Sequence, residues 1–499
     1  MRITIRLTGW WALAVVSATG LSACAKNPVT GKNELALVSE SQEIAMGQEY
    51  AQQIVKTMGV YREQKVQDYV SRLGTALAAR SERPQLPWAF YVMDDPTVNA
   101  FALPGGSIFI TRGIMTHMNN EAELVGVLGH EIGHVTARHS VQQMSRQQLA
   151  QIGLGVGSIL SSTVAQYAGL ASQGLGVLFL KYGRDAENQA DELGFRYMVR
   201  DQYDPRAMAT MFETLQRVST LEGAGRIPEW ASTHPDPGNR VQATMERIDT
   251  LSVPLSQLRK SRETYLPVIA GMTYGDDPRQ GFIEGNTFYH PGLRFKLDLP
   301  AGWQAQNTPQ ALAAVSPQQD AMLQLTVPGK GSPEEAARQF FSQEGVKSGR
   351  TSNAPINGLP AASGYFEAQT EQGAVQGLVA FIQYGDLTYQ LLGYTPAGKL
   401  EANDQAFRRA IGSFSELTDP ARLAVEPYRV ELVKVDRDMS MAEFNERYPS
   451  TIPVERLAVV NGLAAPPDRI PAGTTVKRVV GGKGAPPLRQ AAPADTAGQ

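Results

Sequence analysis

The chain has 499 residues, which is enough for about two to four domains, and its composition excludes a disordered or collagen-like protein. Its 46 lysines and arginines nearly balance its 49 aspartates and glutamates, which excludes the large positive field typical of nucleic-acid binding. One cysteine excludes a disulfide within the chain, and with only six histidines any cluster of them is informative.

Residues 1–23 have the features of a secretory signal peptide. Arg2 and Arg6 precede an apolar stretch, and small residues then lead to Cys24. The sequence Leu-Ser-Ala-Cys resembles the bacterial lipobox, in which the cysteine becomes the acylated first residue of the mature protein. This resemblance implies lipidation of Cys24, and the lack of an aspartate after the cysteine implies sorting to the outer membrane. The alternative is an ordinary signal peptide with a leftover cysteine.

The segment after Cys24 predicts a tether followed by helices and short strands. Residues 24–40 predict an extended tether, and helical spacing of apolar residues starts near Ser41. Two strands are predicted at Trp88–Met93 and Ser107–Thr111, with a Pro-Gly-Gly turn before the second. Further helices are predicted over about 121–138, 185–200, 205–220 and 238–251.

The most informative motif is His130-Glu131-Ile132-Gly133-His134. On a helix, side chains four residues apart lie about 5–6 Å from each other on one face. Both imidazoles can therefore reach one zinc ion at about 2.0–2.1 Å. Glu131 stands beside the first histidine, where it can hydrogen-bond a water molecule without binding the metal.

Two histidines do not complete a metal site, so a third ligand is expected elsewhere. The spacing used by metzincins would need a histidine at Ser140, and His139 is predicted to lie off the face that the two ligand histidines share. Glu187 and Asp191 are four residues apart on a predicted helix. Glu187 can be the third ligand, and Asp191 can accept a hydrogen bond from a ligand histidine. The alternative is a solvated acidic helix face. Three ligands leave a fourth position open, as in catalytic zinc sites.

An HExxH motif followed by ExxxD is the gluzincin pattern, and the surrounding sequence resembles the HtpX/BepA-like branch of zinc metalloproteases. This branch includes the CAAX-prenyl endopeptidases and the mitochondrial Oma-type proteases. The resemblance implies a zinc metalloprotease domain at 41–275, with an α-rich (α+β) minigluzincin-type fold and one zinc ion per chain. The matching stretches are Asn99–Gly106, Leu128–Ser140, Tyr182–Asp191 and Thr233–Arg240.

The resemblance also implies roles for residues outside the two motifs. His234 and Arg240 resemble a His-Pro-x4-Arg motif, which implies that both belong to the catalytic machinery. His234 would either occupy the open zinc position and hold the enzyme latent, or stabilise the transition state; a histidine on a surface turn is the third alternative. A predicted strand resembles the one that pairs with extended substrate backbone. Its residues are Asn99, Ala100, Phe101 and Ala102.

The stretch 147–180 contains no charged side chain. It is long enough to span a bilayer, but its serines, threonine and glutamines make it a poor transmembrane helix. A mobile lid or helical hairpin beside the active site is the favoured interpretation, and membrane contact is the alternative.

The C-terminal half predicts three further segments. Residues 287–417 predict an α+β domain without an assigned role. Residues 427–480 resemble a degenerate LysM module, which implies peptidoglycan binding. Arg437-Asp438-Met439 replaces the usual Gly-Asp-Thr, so a protein-contact module is an equal alternative. Residues 481–499 predict a disordered tail.

Together these patterns predict a multidomain protein that acts as a zinc-dependent endopeptidase of the bacterial cell envelope, on the periplasmic face of the outer membrane. The expected substrates are misfolded or stalled envelope proteins. Other expected partners are the inner leaflet of the outer membrane, reached through Cys24, and peptidoglycan or the outer-membrane assembly machinery; nucleic acid is not expected. The alternative is a chaperone-like assembly factor or a peptidoglycan-associated binding protein with a regulatory zinc. Glu131 argues against this alternative, because a purely structural zinc does not need that carboxylate.

Overall fold

The structure is a computed structural model that describes residues 24–154, 182–222, 234, 237–370 and 373–488. The predicted signal peptide, most of the predicted lid and the end of the predicted tail lie outside these residues. The chain forms two compact units. The first unit holds the chain up to Gly275 together with Arg429–Val480, and the second holds Asp276–Tyr428 together with Gly481–Leu488.

The first unit is rich in helices, as the periodicity predicts. Its strands up to Gly275 are β1 (Cys24–Lys26), β2 (Asn33–Leu35), β3 (Ala89–Met93), β4 (Ala100–Ala102) and β5 (Ser107–Thr111). Its helices in the same range are α1 (Glu40–Met58), α2 (Gln64–Ala78), α3 (Arg112–His117), α4 (Glu121–Thr136), α5 (His139–Leu154), α6 (Arg184–Arg200), α7 (Arg206–Glu222), α8 (Pro237–Asp249) and α9 (Arg262–Ile269).

The segment after Cys24 differs from the predicted extended tether. Strands β1 and β2 form an antiparallel hairpin, and the Asn27 side chain accepts hydrogen bonds from two backbone N–H groups of the turn. Asn27 also donates to the carbonyl of Ala137 at 3.2 Å, and the backbone N–H of Leu37 donates to Ser145 at 3.0 Å. The segment is a hairpin and not the predicted extended tether, and these polar groups bind it to α5 and to the end of α4.

Strands β3, β5 and β4 form a small sheet in that order, so β4 lies at one edge. Strand β5 pairs in parallel with β3 and antiparallel with β4. Gly105 and Gly106 have positive φ angles of 81° and 112°, which side chains with a Cβ rarely adopt. These two glycines let the chain reverse from β4 into β5 and leave β4 as the outer strand.

Helix α4 is buried along its whole length, and its first turn fixes where it begins. Asn120 caps the helix by accepting a hydrogen bond from the backbone N–H of Glu123. The carboxylate of Glu121 accepts hydrogen bonds from the hydroxyls of Tyr69 at 2.5 Å and Tyr203 at 2.7 Å. The helix that carries the HExxH motif is therefore held at its start by α2 and by the loop after α6.

Helices α4 and α6 approach each other more closely than ordinary side chains allow. A Cβ on Gly194 would lie 2.9 Å from the backbone nitrogen of His130, and a Cβ on Gly133 would lie 3.1 Å from Cα of Ala190. A Cβ on Gly129 would lie 3.1 Å from Cα of Gly194. Glycine at these positions lets the two backbones touch and brings the HExxH motif against the ExxxD motif.

The second unit is an α+β unit built on antiparallel strands. Its helices are α10 (Pro333–Phe341), α11 (Leu400–Ser413) and α12 (Pro420–Leu423). Its strands are β6 (Phe282–Glu284), β7 (Thr287–His290), β8 (Phe295–Asp298), β9 (Gln304–Asn307), β10 (Ala311–Val315), β11 (Met322–Gly329), β12 (Val346–Ser352), β13 (Ala361–Thr370), β14 (Gly373–Tyr384), β15 (Leu387–Pro396) and β16 (Ser415–Glu416). One sheet has the order β12-β13-β14-β15-β11-β10-β9, and the other has the order β16-β8-β7-β6.

Both faces of the larger sheet are buried, which explains the apolar run in β14. Val379 and Phe381 point to one face, where they pack with Phe340 of α10. Ala380 and Ile382 point to the other face, in the core that includes Phe407 of α11. Side chains alternate between the faces of a strand, so a strand covered on both sides needs consecutive apolar residues.

Residues 429–480 return to the first unit. The elements of this segment are β17 (Tyr428–Lys434), β18 (Met439–Ser440), α13 (Met441–Arg447), α14 (Val454–Val460), β19 (Arg469–Ile470) and β20 (Thr475–Gly481). The fully buried Lys477 donates hydrogen bonds to the carbonyls of Thr116 at 2.9 Å and Met118 at 2.6 Å, at the end of α3. The segment therefore packs on the N-terminal part of the unit.

The beginning of the predicted tail is ordered in the second unit. The backbone N–H of Glu426 donates to the carbonyl of Lys483 at 2.9 Å, and the hydroxyl of Tyr428 donates to the carbonyl of Pro486 at 3.3 Å. The structure therefore corrects the predicted tail boundary, because these hydrogen bonds hold the chain at least as far as Pro486.

Within the described part of the chain, no helix combines the length and the apolar character needed to cross a bilayer.

We expect Gly194→Ala to weaken zinc binding and to lower the free energy of unfolding by about 1–3 kcal/mol. The added methyl group would meet backbone atoms of α4 and push the two motif helices apart. Gly412→Ala is the matched control, because nothing lies within 4 Å of a Cβ at that exposed helical position. The control should raise stability by up to about 1 kcal/mol. Chelator competition and denaturant unfolding measure both effects, and an unchanged zinc affinity in Gly194→Ala would contradict the argument.

Candidate metal centre

Four buried side chains converge where α4 and α6 meet the segment before α8. They are His130 and His134 from α4, Glu187 from α6, and His234, and one ligand atom of each lies within 4.8 Å of the others. Nε2 of His130 is 3.0 Å from Nε2 of His134 and 3.2 Å from Nδ1 of His234. Oε1 of Glu187 is 3.0 Å from Nδ1 of His234 and 3.5 Å from Nε2 of His134.

The orientation of His130 is set by two residues that follow it in the chain. Its Nδ1 lies 2.9 Å from Oδ1 of Asp191, so Nδ1 carries the proton and Nε2 presents a lone pair to the cluster. Arg240 holds Asp191 in place through Nε at 2.7 Å and Nη2 at 2.5 Å. The third guanidinium nitrogen of Arg240, Nη1, lies 3.1 Å from Oε2 of Glu187. These contacts favour a positioning role for Arg240 over the catalytic role that the resemblance implies.

The orientation of His134 is set by a chain of hydrogen bonds through His139 and Gln189, which the sequence prediction missed. We call this chain the relay. Nε2 of His139 donates to Oε1 of Gln189 at 2.9 Å, which leaves Nδ1 of His139 as an acceptor. That atom lies 2.9 Å from Nδ1 of His134. His134 therefore donates from Nδ1 and presents a lone pair at Nε2. The prediction that His139 lies off the face shared by His130 and His134 assumed a continuous helix, but α4 ends at Thr136 and Arg138 adopts a left-handed conformation with φ 59°.

Tyr182 is a second neighbour that the sequence prediction did not assign. Its ring stacks on the ring of His134 with centroids 4.0 Å apart, and its hydroxyl lies 2.7 Å from Oγ of Ser140. Its place in a stretch that resembles the metalloprotease branch, five residues before Glu187, was the available indication. The stacking covers one face of the imidazole and restricts its rotation.

The donor set fits a zinc ion. Two imidazole lone pairs and a carboxylate converge in a buried space, and such an arrangement needs a positive charge at its centre. Tetrahedral ligands at about 2.1 Å from one ion are about 3.4 Å from one another. The measured distances between the converging atoms, from 3.0 Å to 3.7 Å, bracket that value.

Glu131 lies beside the cluster without joining it. It is 1% exposed, and neither of its carboxylate oxygens accepts a hydrogen bond from the described residues. Its nearest charged neighbour in the cluster is Nε2 of His234, 3.7 Å from Oε1. Burial raises the pKa of the Glu131 carboxyl, and the nearby histidine charges oppose that rise only in part. A buried carboxylate with free acceptor capacity can take a proton from a substrate or water molecule.

The other acidic member of the cluster is held in the charged form. Burial acts to raise the pKa of Glu187, but the charges of His234 and Arg240 and the hydrogen bonds from His234 and His134 outweigh burial and hold that pKa well below its usual value. Burial likewise acts to lower the pKa of His234, but Glu187 and Glu131 outweigh it and raise that pKa. Glu187 is therefore anionic and buried, and it could hold a metal ion.

The predicted substrate strand lies at the sheet edge described above. Ala100, Phe101 and Ala102 pair with β5 on one side, and β4 has no strand on its other side among the described residues. Asn99 directly precedes the strand and is 3% exposed, and its Oδ1 accepts no hydrogen bond from those residues.

Residues 64–248 match the family model described as Peptidase family M48. This segment, which is less than half of the chain, is similar to M48 metalloendopeptidases. Enzymes of this family depend on zinc, and the buried histidine and glutamate group could hold one metal ion. The zinc metalloendopeptidase prediction is confirmed at this level.

Similar proteins are found in bacteria and in mitochondria. The beta-barrel assembly-enhancing protease of Escherichia coli (strain K12) is 29% identical over 248 residues, which cover 48% of this chain and 50% of that protein. The protein of the same name from Yersinia pestis is 30% identical over 233 residues, covering 45% of this chain and 47% of that protein. The mitochondrial metalloendopeptidase OMA1 of Schizosaccharomyces pombe is 33% identical over 193 residues, covering 37% and 54%. The chain thus spans about half the length of these relatives.

We expect His139→Ala to weaken zinc binding by about tenfold to a hundredfold, because His134 would lose the acceptor that fixes its protonated nitrogen. His139→Gln retains an acceptor and should recover part of the affinity. Chelator competition measures zinc binding. Thermal unfolding of the metal-free variants separates this effect from a general loss of stability. Equal zinc affinities for His139→Ala and the wild type would show that the relay does not orient His134.

Proposed function

We propose that the protein is a zinc-dependent endopeptidase in which His130, His134 and Glu187 hold the metal and Glu131 is the general base. The observation that carries this proposal is the convergence of two oriented imidazoles and an anionic carboxylate next to a buried carboxylate with free acceptor capacity. A structural zinc site does not need the second carboxylate.

Bound zinc would supply Lewis-acid polarisation of the scissile carbonyl and a lowered pKa for the attacking water. Glu131 takes a proton from that water and later delivers it to the nitrogen of the leaving amine. Asp191 keeps His130 oriented, and Arg240 holds both Asp191 and Glu187. The M48 segment supports this assignment because the motif residues lie within it.

The substrate is proposed to bind as an added strand on β4. An extended peptide can exchange backbone hydrogen bonds with an edge strand whatever its sequence, which suits an enzyme that acts on unfolded chains. The residues proposed to line this edge are Asn99, Ala100, Phe101 and Ala102.

A small apolar pocket lies next to His130 and Glu131. Its lining includes Met208, Met211, Phe212 and Leu215 of α7. At about 10 Å³, this pocket is too small for a substrate side chain and is comparable to the space that one water molecule needs.

His234 is proposed to be a latency ligand. Its Nδ1 lies among the converging ligand atoms, at 3.2 Å from Nε2 of His130 and 3.0 Å from Oε1 of Glu187. In that place it would fill the fourth position that a water molecule needs. Withdrawal of His234 would open the position, so a substrate could select a minor open state.

The proposed setting is the bacterial cell envelope, with the chain anchored through lipidated Cys24 at the periplasmic face of the outer membrane. The proposed substrates are misfolded or stalled envelope proteins. The bacterial relatives are named beta-barrel assembly-enhancing proteases, which supports a protein substrate linked to β-barrel assembly. The LysM-like segment is proposed to contact peptidoglycan or a partner protein. Mass spectrometry of the mature chain tests the anchor, since it should find an acylated cysteine as the first residue.

We expect Glu131→Gln to keep one zinc per chain and to lose proteolysis by about a hundredfold to ten-thousandfold, because the amide cannot accept the proton. Glu187→Ala should instead lose zinc. Elemental analysis and degradation of an unfolded outer-membrane protein, measured on the same samples, distinguish the two effects. Glu192→Gln is the matched control, because this exposed residue stands next to Asp191 on α6 and should leave both quantities unchanged.

Wild-type zinc affinity in Glu187→Ala would exclude that residue as the third ligand. Undiminished proteolysis in Glu131→Gln would exclude the proposed mechanism and favour a binding protein with a regulatory zinc.

We expect His234→Ala to raise the rate of proteolysis and to weaken zinc binding modestly, because the variant vacates the fourth ligand position. If His234 instead stabilises the transition state, the rate should fall by about a hundredfold, as for the loss of one oxyanion donor. A steady-state rate assay gives the sign of the change. His290→Ala, which removes an imidazole from the second unit, is the control. An unchanged rate in His234→Ala would exclude both roles.

A further inference from the structure

A cleft of about 440 Å³ lies in the first unit, away from the HExxH motif. It is lined by the end of α2, the end of α6 and the loop before α9. Three arginines enter it from these three elements, Arg80, Arg200 and Arg259. Its volume lies in the range of about 300–1,000 Å³ that small-molecule sites occupy.

Two of the three guanidinium groups lie near one carboxylate in the cleft, that of Asp201. Arg80 forms an ion pair with Asp201, and Nε of Arg200 lies 3.9 Å from the same carboxylate. Arg259 donates to the backbone carbonyl of Asp201 at 3.4 Å and lies 4.2 Å above the ring of Tyr203. Among the described residues, no carboxylate oxygen lies within 4 Å of the Arg259 guanidinium. The three arginines and the one aspartate in the lining therefore give it a net charge of about +2.

The remaining wall of the cleft is apolar. It is formed by Leu73 and Leu77 of α2 and Val125 of α4, all of which are buried. A ligand that matches this lining carries two negative charges on one group and carbon atoms beside it. A phosphate monoester has about −1.5 to −2 charges at pH 7 and three acceptor oxygens. Planar guanidinium groups bind such oxygens in pairs.

We propose that this cleft binds a phosphate monoester, with Arg200 and Arg259 on the phosphate. A carboxylate carries only one negative charge and would leave one guanidinium without a counter-charge. The site is separate from the proposed zinc centre, so it stands or falls independently of the proteolytic mechanism.

The test is calorimetric titration of the full zinc-loaded chain with glycerol 3-phosphate. We expect saturable binding that Arg259→Gln or Arg200→Gln weakens by at least about tenfold, the effect of losing one charge-assisted hydrogen bond. Arg408→Gln is the matched control, since that exposed arginine lies in the second unit and its loss changes the net charge equally. The cleft arginines are exposed, so folding should survive their replacement, and thermal unfolding checks this.

Two further arms identify the source of the phosphate. Stronger flotation with phosphatidic acid vesicles than with phosphatidylcholine vesicles, lost in Arg259→Gln, would assign the ligand to a lipid head group. Binding of glycerol 3-phosphate without this difference would assign it to a soluble ester. The proposal is overturned if the wild type shows no saturable binding, if both cleft variants bind as tightly as the wild type, or if propionate binds as tightly as glycerol 3-phosphate.

Discussion

The backbone contact between α4 and α6 is the constraint on which the metal centre depends. Gly129, Gly133 and Gly194 remove the side chains that would otherwise separate the two helices, so Cα atoms and peptide groups approach directly. At this separation the short side chains of Glu187 and Asp191 reach the two histidines of the HExxH motif. A wider helix pair would leave the acidic residues out of reach, and the buried imidazoles would then have no anionic partner to offset their desolvation.

The charged groups of the centre are stable in the interior because each one orients another. Asp191 lies between His130 and Arg240, and Arg240 also reaches Glu187. A buried polar network of this kind specifies one arrangement when its members are satisfied, because any rotation leaves a buried charge without a partner. Glu131 is the exception in the network. Its carboxylate has no hydrogen-bond partner among the described residues, and that acceptor capacity is what a proton-transfer role requires.

Other parts of the first unit contact the helices around the metal centre. The N-terminal hairpin contacts α5 and the end of α4, and Tyr69 and Tyr203 bind Glu121 at the start of α4. Residues 429–480 pack at the end of α3. A segment that resembles a separate wall-binding module is thus part of the same compact unit as the metal centre. The arginine cleft also borders α4, through Val125.

The sequence by itself determined the candidate metal residues, because the ligand types and the four-residue spacings of HExxH and ExxxD are local properties of a helix. It also predicted most helices of the first unit and the strand at Ser107–Thr111, where apolar periodicity is strong. Only the tertiary structure brought His139 and Gln189 to the centre, since a left-handed residue after α4 interrupts the helical period on which the prediction relied. The folded hairpin in place of a tether and the grouping of three arginines depend on contacts between residues far apart in the chain. No local pattern encodes such contacts, because they arise only when separate elements pack together.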